Sequence, residues 1–88
     1  LYPNYPNPFN SQTQLKFRIL IPTFLSLKIF DINGRVIKIL FSGQKGLGTY
    51  YLKWDGKDNN GISVASGIYF ILMETERTIK TQKIILLE

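Results

Sequence analysis

The sequence predicts an all-β domain, an antiparallel β-sandwich of about seven short strands. Three observations predict it. The composition is that of a strand former: a single Ala (Ala65) stands against 12 Ile, 11 Leu, 6 Phe and 5 Tyr. Those residue types suit a pleated, half-buried surface better than a helix. Apolar and polar residues alternate in several runs, the period of a strand with one face on a core. Clusters of turn-forming residues break those runs roughly every 8–12 residues, the spacing of a sandwich or barrel.

The first ten residues hold Pro3, Pro6 and Pro8. Proline lacks the donor that a sheet ladder needs, so within a single domain spanning 1–88 residues 1–13 read as an extended lead-in and 14–88 as the sandwich. Leu1, Tyr2, Tyr5 and Phe9 are four apolar anchors that would pin it. Residues 14–20 then alternate, with Leu15, Phe17 and Ile19 on one face and Lys16 and Arg18 on the other. Pro22 closes that run. Residues 25–32 turn Leu25, Leu27 and Ile29 inward, while Phe30 breaks the pattern on the outer face. Asn33-Gly34 follows, and such a pair between apolar runs predicts a two-residue type I′ hairpin returning through 35–41. Residues 42–48 carry three glycines and read as a loop. Tyr50, Leu52 and Trp54 share one face of a strand at 49–54. Residues 55–61 (DGKDNNG) are all turn formers, and a short strand is expected near 62–65. Residues 68–74 are apolar on both faces, which predicts a strand buried on both sides. Residues 74–77 turn the chain into a last strand at 78–87, expected at or near a sheet edge, where unpaired backbone groups are open to another chain.

Composition removes several functions. The chain has no Cys and no His, which excludes disulfides, thiolate or histidine-ligated zinc, and histidine-based triads. The net charge is +5, yet the basic residues are spread singly, as on the solvent faces of strands, and give no nucleic-acid footprint. No segment approaches the roughly 18 apolar residues of a membrane span. With 88 residues the chain is one domain.

The candidate chemistry is thin. Residues 55–61 offer Asp55, Asp58, Asn59 and Asn60 as oxygen ligands, but the spacing fits no calcium loop in either register, and Lys57 opposes a cation. An Asx-turn loop beneath Trp54 accounts for them. Asp31, Asp55, Asp58, Glu74 and Glu76 are the carboxylates from which a glycosidase pair would be drawn, and nothing places two of them across a cleft. No phosphate loop or nucleophile elbow is present. Tyr51 and Phe30 are the two aromatics that the pattern turns outward, and an exposed aromatic is what a sugar platform needs.

Six motifs in order resemble the type A C-terminal sorting domain of the type IX secretion system of Bacteroidetes and related bacteria. They are Tyr5-Pro6-Asn7-Pro8-Phe9-Asn10, with Thr13, Leu15 and Phe17 after it; Leu27, Ile29, Phe30, Asp31, Gly34 and Arg35; Gly48 with Tyr50; Trp54-Asp55-Gly56 with Asp58 and Gly61; Val64-Ala65-Ser66-Gly67-Ile68-Tyr69; and Lys83-Ile84-Ile85-Leu86-Leu87. The Ig-like domain of flagellar hook-capping proteins is similar over the same stretch.

The resemblance implies an Ig-like β-sandwich without catalysis or cofactor, attached behind an N-terminal cargo domain in the same chain. It would act as the address that translocon components read, and in many members a sortase-like peptidase then removes it. The cargo would reach the outer cell surface or the medium after passing through the periplasm. By resemblance, the recognition residues are Pro6, Asn7, Pro8 and Phe9 with Lys83, Ile84, Ile85, Leu86 and Leu87. Two positions depart from the pattern: Ser11 stands where the family often has another proline, and Glu88 where it usually ends on Lys or Arg. The start at Leu1 fits the usual family boundary and is read as one domain of a longer protein. The alternative expectation is an accessory Ig-like domain that binds glycan, spaces other domains or self-associates through edge strands.

Overall fold

Strand alternation becomes six strands in the computed structural model, which describes residues 1–87: β1 (Thr13–Ile19), β2 (Thr23–Asp31), β3 (Val36–Lys45), β4 (Gly48–Trp54), β5 (Gly67–Thr75) and β6 (Ile79–Leu86). Every pairing between these six strands is antiparallel. One sheet has the two strands β1 and β4, and the other runs β3-β2-β5-β6. The inward residues named from alternation meet between them. Leu15, Phe17 and Ile19 of β1 face Leu25, Leu27 and Ile29 of β2, Ile71 and Met73 of β5, and Ile84 and Leu86 of β6, in one buried cluster that also takes in Trp54 and Phe9. Burial of these apolar faces, each side chain stabilising by about 1.5–3 kcal/mol, is what joins the two sheets.

Six strands replace the expected seven. Residues 62–65 make only one bridge, Lys57 to Ser63. Gly61 enters the segment with φ +78°, and Val64 N–H bonds the Gly56 carbonyl at 3.0 Å. The segment is thus tied by its backbone to its own loop and joins the ladder of neither sheet, although the Tyr69 hydroxyl of β5 donates to the Ala65 carbonyl at 2.6 Å and Val64 packs on the core. The 42–48 loop also shrinks. Ser42, Gly43 and Lys45 pair with Ser26, Leu25 and Thr23, so β3 runs to Lys45 and only Gly46-Leu47 turn. Glycine weakens a strand without forbidding it.

The β2–β3 turn differs from the expected type I′. No residue other than glycine has positive φ among the described residues, so Asn33 does not, whereas Gly34 sits at φ +81°. Gly34 N–H bonds the Asp31 carbonyl and Asp31 N–H bonds the Arg35 carbonyl, both at 3.0 Å. This is a three-residue loop, a type I turn closed by one left-handed glycine. The cause is Asp31, whose Oδ1 accepts the N–H groups of Asn33 (2.9 Å) and Arg35 (3.0 Å). Its Oδ2 meets the Arg35 guanidinium at 3.1 Å. The Arg35 amide, more than any other group, holds the Asp31 carboxyl below its ordinary range.

β5 is buried on one face and not on both. Tyr69, Ile71 and Met73 enter the core, while Phe70 and Leu72 are half-buried and Ile68 is exposed. No element covers the outer face of the four-stranded sheet among the described residues. Its apolar side chains shelter one another across strands instead, Phe30 opposite Phe70 and Ile68 opposite Ile85.

Candidate functional site

The last strand, β6, is an edge of the four-stranded sheet, and the lead-in lies along it. The lead-in first follows β1. Tyr2 N–H bonds the Lys16 carbonyl (3.0 Å), and Tyr5 exchanges both backbone bonds with Gln14 (3.1 and 2.8 Å). A buried polar knot then turns it. Asn4 Nδ2 donates to Thr13 Oγ1 at 2.8 Å, and Thr13 Oγ1 donates to the Pro6 carbonyl at 2.7 Å. Gln82 of β6 meets Asn4 Oδ1 at 2.9 Å. The Tyr5–Pro6 and Asn7–Pro8 peptide bonds are cis.

Beyond the knot the chain reaches β6. The Asn7 side-chain amide imitates a peptide group: its Oδ1 accepts Ile85 N–H at 3.0 Å and its Nδ2 faces the Lys83 carbonyl at 3.3 Å. Phe9 continues the pairing with its backbone. Its N–H bonds the Ile85 carbonyl (3.0 Å) and its carbonyl accepts Leu87 N–H (2.8 Å), in a parallel bridge. The Phe9 ring is anchored in the core, 5.5 Å from the Trp54 ring, and Trp54 meets Tyr69 edge-on at 5.3 Å.

The structure therefore brings the two predicted recognition segments together, although 76 residues separate Asn7 from Lys83. Their side chains divide by exposure. Phe9, Ile84 and Leu86 are core residues; Pro6, Asn7, Pro8, Lys83 and Leu87 are exposed, and Ile85 is half-buried on the outer face. Glu88 lies outside the described residues. Of the four expected anchors, Phe9 is buried and Leu1 packs on the core. Tyr2 and Tyr5 are exposed, and their backbones do the pinning. Sequence reasoning missed Asn4, a buried amide whose partners Thr13 and Gln82 are distant in the chain; no local pattern marks it.

The family model described as the FlgD Ig-like domain matches residues 9–78. The chain belongs to that family. The candidate edge of this FlgD-type Ig-like domain thus lies at the borders of the match, with Phe9 alone inside it. No curated protein matches the chain. Two solved structures from Porphyromonas gingivalis share the fold. One is PorZ, described as an essential bacterial surface component of the type-IX secretion system: TM-score 0.66, 23% identity, 97% of this chain and 11% of that one. The other is dimeric latent PorU: TM-score 0.68, 17% identity, 96% of this chain and 9% of that one. The chain spans about a tenth of either neighbour's length.

Other sequence candidates resolve into parts of this Ig-like fold. Asp58 Oδ1 accepts the N–H groups of Asn60 and Ile62, each at 2.9 Å, and Asp55 Oδ1 accepts Lys57 N–H at 3.2 Å. Both aspartates thereby close Asx turns. Trp54 Nε1 donates to the Lys57 carbonyl at 2.9 Å, which seats the loop over the indole. Asn59 ties the loop to β3 through Ile37 and Ile39. Tyr51 and Phe30 do not form one platform. Tyr51 is on the outer face of the two-stranded sheet and Phe30 on the outer face of the four-stranded sheet. Among the described residues no helix is long and apolar enough to cross a membrane.

Proposed function

We propose that the chain is a non-catalytic C-terminal sorting domain of the type IX secretion system. It would be read by translocon components and carried behind an N-terminal cargo domain to the cell surface or the medium. A sortase-like peptidase is the partner proposed to act on it afterwards. One observation carries the reading. Residues 5–9 and 83–87, from opposite ends of the chain, are hydrogen-bonded into a single edge that exposes Pro6, Asn7, Pro8, Lys83 and Leu87. The likeness to PorZ supports the same setting. The test fuses residues 1–88 to a periplasmic reporter in a host with this secretion system. Reporter in the medium or on the surface is the expected result. Reporter retained in the periplasm behind a folded domain overturns the proposal.

A second reading has its own observation. The outer face of the four-stranded sheet places Phe24, Ser26, Lys28, Ser42 and Glu74 around one groove, with Phe30 in the next row. Aromatic rings beside hydroxyl and charged groups suit a glycan. An accessory glycan-binding role predicts a saccharide titration that weakens on Phe24→Ala or Phe30→Ala.

A further inference from the structure

We propose that the end of the molecule built by the β1–β2 and β5–β6 turns is a docking site for an anionic lipid surface. Turns ordinarily carry Gly, Asn, Asp or Ser, whose backbones suit a bend and whose side chains suit water. The β1–β2 turn is instead Leu20-Ile21-Pro22, with Leu20 68% and Ile21 52% exposed. Beside this apolar tip lies a groove of about 250 Å³ whose cationic lining is Arg18, Arg77 and Lys80. All three are exposed, and no Asp or Glu lines the groove. Glu76, next to Arg77 in sequence, accepts the Phe24 amide at 3.0 Å and lines the separate outer-face groove with Glu74.

The charge is not neutralised elsewhere. Among the described residues the only ion pair is Asp31 with Arg35, at the opposite end of β2. Asp55 and Asp58 also follow the far end of the two-stranded sheet, after Trp54. The three aspartates therefore sit away from the three groove cations. A patch of cations around two exposed aliphatic side chains matches a surface with an anionic outer layer and an apolar interior. A free phosphate or a nucleic acid would use the cations and leave Leu20 and Ile21 in water. Leu1, the first residue of the lead-in, also lines the groove, but no residue of 5–9 or 83–87 does, so docking here would leave that edge free.

The test is co-sedimentation of the 88-residue chain with phosphatidylglycerol–phosphatidylcholine vesicles and with phosphatidylcholine vesicles alone. Binding to the anionic vesicles only, weakened by salt, is expected. Each removed cation should weaken it about fivefold, so R18Q/R77Q/K80Q should lose most of it. Leu20→Ser with Ile21→Ser should weaken it several-fold at unchanged charge, and both positions are exposed, so the fold should survive, as a thermal melt would check. The control K38Q/K53Q/K57Q carries the same net charge as the first triple and should bind nearly as the parent does. The proposal is overturned by no binding, by equal loss in the two triples, or by indifference to Leu20→Ser with Ile21→Ser. It is overturned too if the chain self-associates without vesicles and Ile21→Ser abolishes that, because the patch would then belong to a second copy.

Discussion

Phe9 is the residue on which the lead-in depends. It is fully buried, its ring tilts against Trp54, and its backbone carries two of the bonds to β6. Truncating a buried Phe costs about 3–5 kcal/mol through lost transfer energy and the cavity left behind. A small domain has roughly 5–15 kcal/mol in all, so Phe9→Ala should move the urea midpoint far down; an unchanged midpoint would mean that the ring is not in the core. Asp31 gives a pH dependence of definite sign. Its carboxyl is held below the ordinary value of 3.8, first by the Arg35 amide. Such a group stabilises the fold above 3.8, and the contribution disappears as pH falls through the lowered value. Asp31→Asn should remove that part of the acid-induced loss and flatten the stability profile below pH 4, while also lowering stability at neutral pH. Melts of both chains from neutral pH down into the acid range would check it.

At the scale of elements, the lead-in acts as a partial strand that covers two edges in turn: β1 through Tyr2 and Tyr5, and β6 through Asn7 and Phe9. Uncovered edges invite pairing with another chain. Asn7→Ala should therefore expose one specific amide. Ile85 N–H, which bonds Asn7 Oδ1, should exchange roughly fivefold faster, as loss of a bond worth about 1 kcal/mol implies. Leu87 N–H, which bonds the Phe9 carbonyl, should change little; hydrogen exchange resolved by residue separates the two. The strands and their inward residues were legible because alternation is local and its period is fixed. The departures came where a partner, a side chain in one case and a paired backbone in another, overruled a local rule. Asp31 captured two amides and made the Asn33-Gly34 turn a three-residue loop, and Gly43 stayed in a strand because Leu25 paired with it. The edge was legible only as two separate motifs. Its assembly rests on contacts between the chain's two ends, about which periodicity is silent, and Asn4 was invisible for the same reason.

Across the whole molecule the two sides of the two-sheet stack are closed differently. The side formed by β1 and β6 is closed by the lead-in, and the β3 edge on the other side is met by Asn59 only at Ile37 and Ile39. The sheet between them already has an apolar outer face, with Val36, Ile39 and Ile68 exposed. A net charge of +5 and the covered β1 and β6 edges are the features that oppose association of such surfaces. Removing residues 1–12 should then do two things. It should lower stability by at least the 3–5 kcal/mol expected for Phe9, and it should expose the β1 and β6 edges together with the site that Phe9 filled. The truncated chain should self-associate with rising concentration in sedimentation velocity where residues 1–88 do so less. A peptide of residues 1–12 added in trans should reverse the association, weakly, because the effective concentration supplied by covalent linkage is gone. The same peptide with Phe9→Ala and Asn7→Ala should fail to reverse it. If the truncated chain matches residues 1–88 in both melting and sedimentation, the lead-in is not the cover that its hydrogen bonds describe.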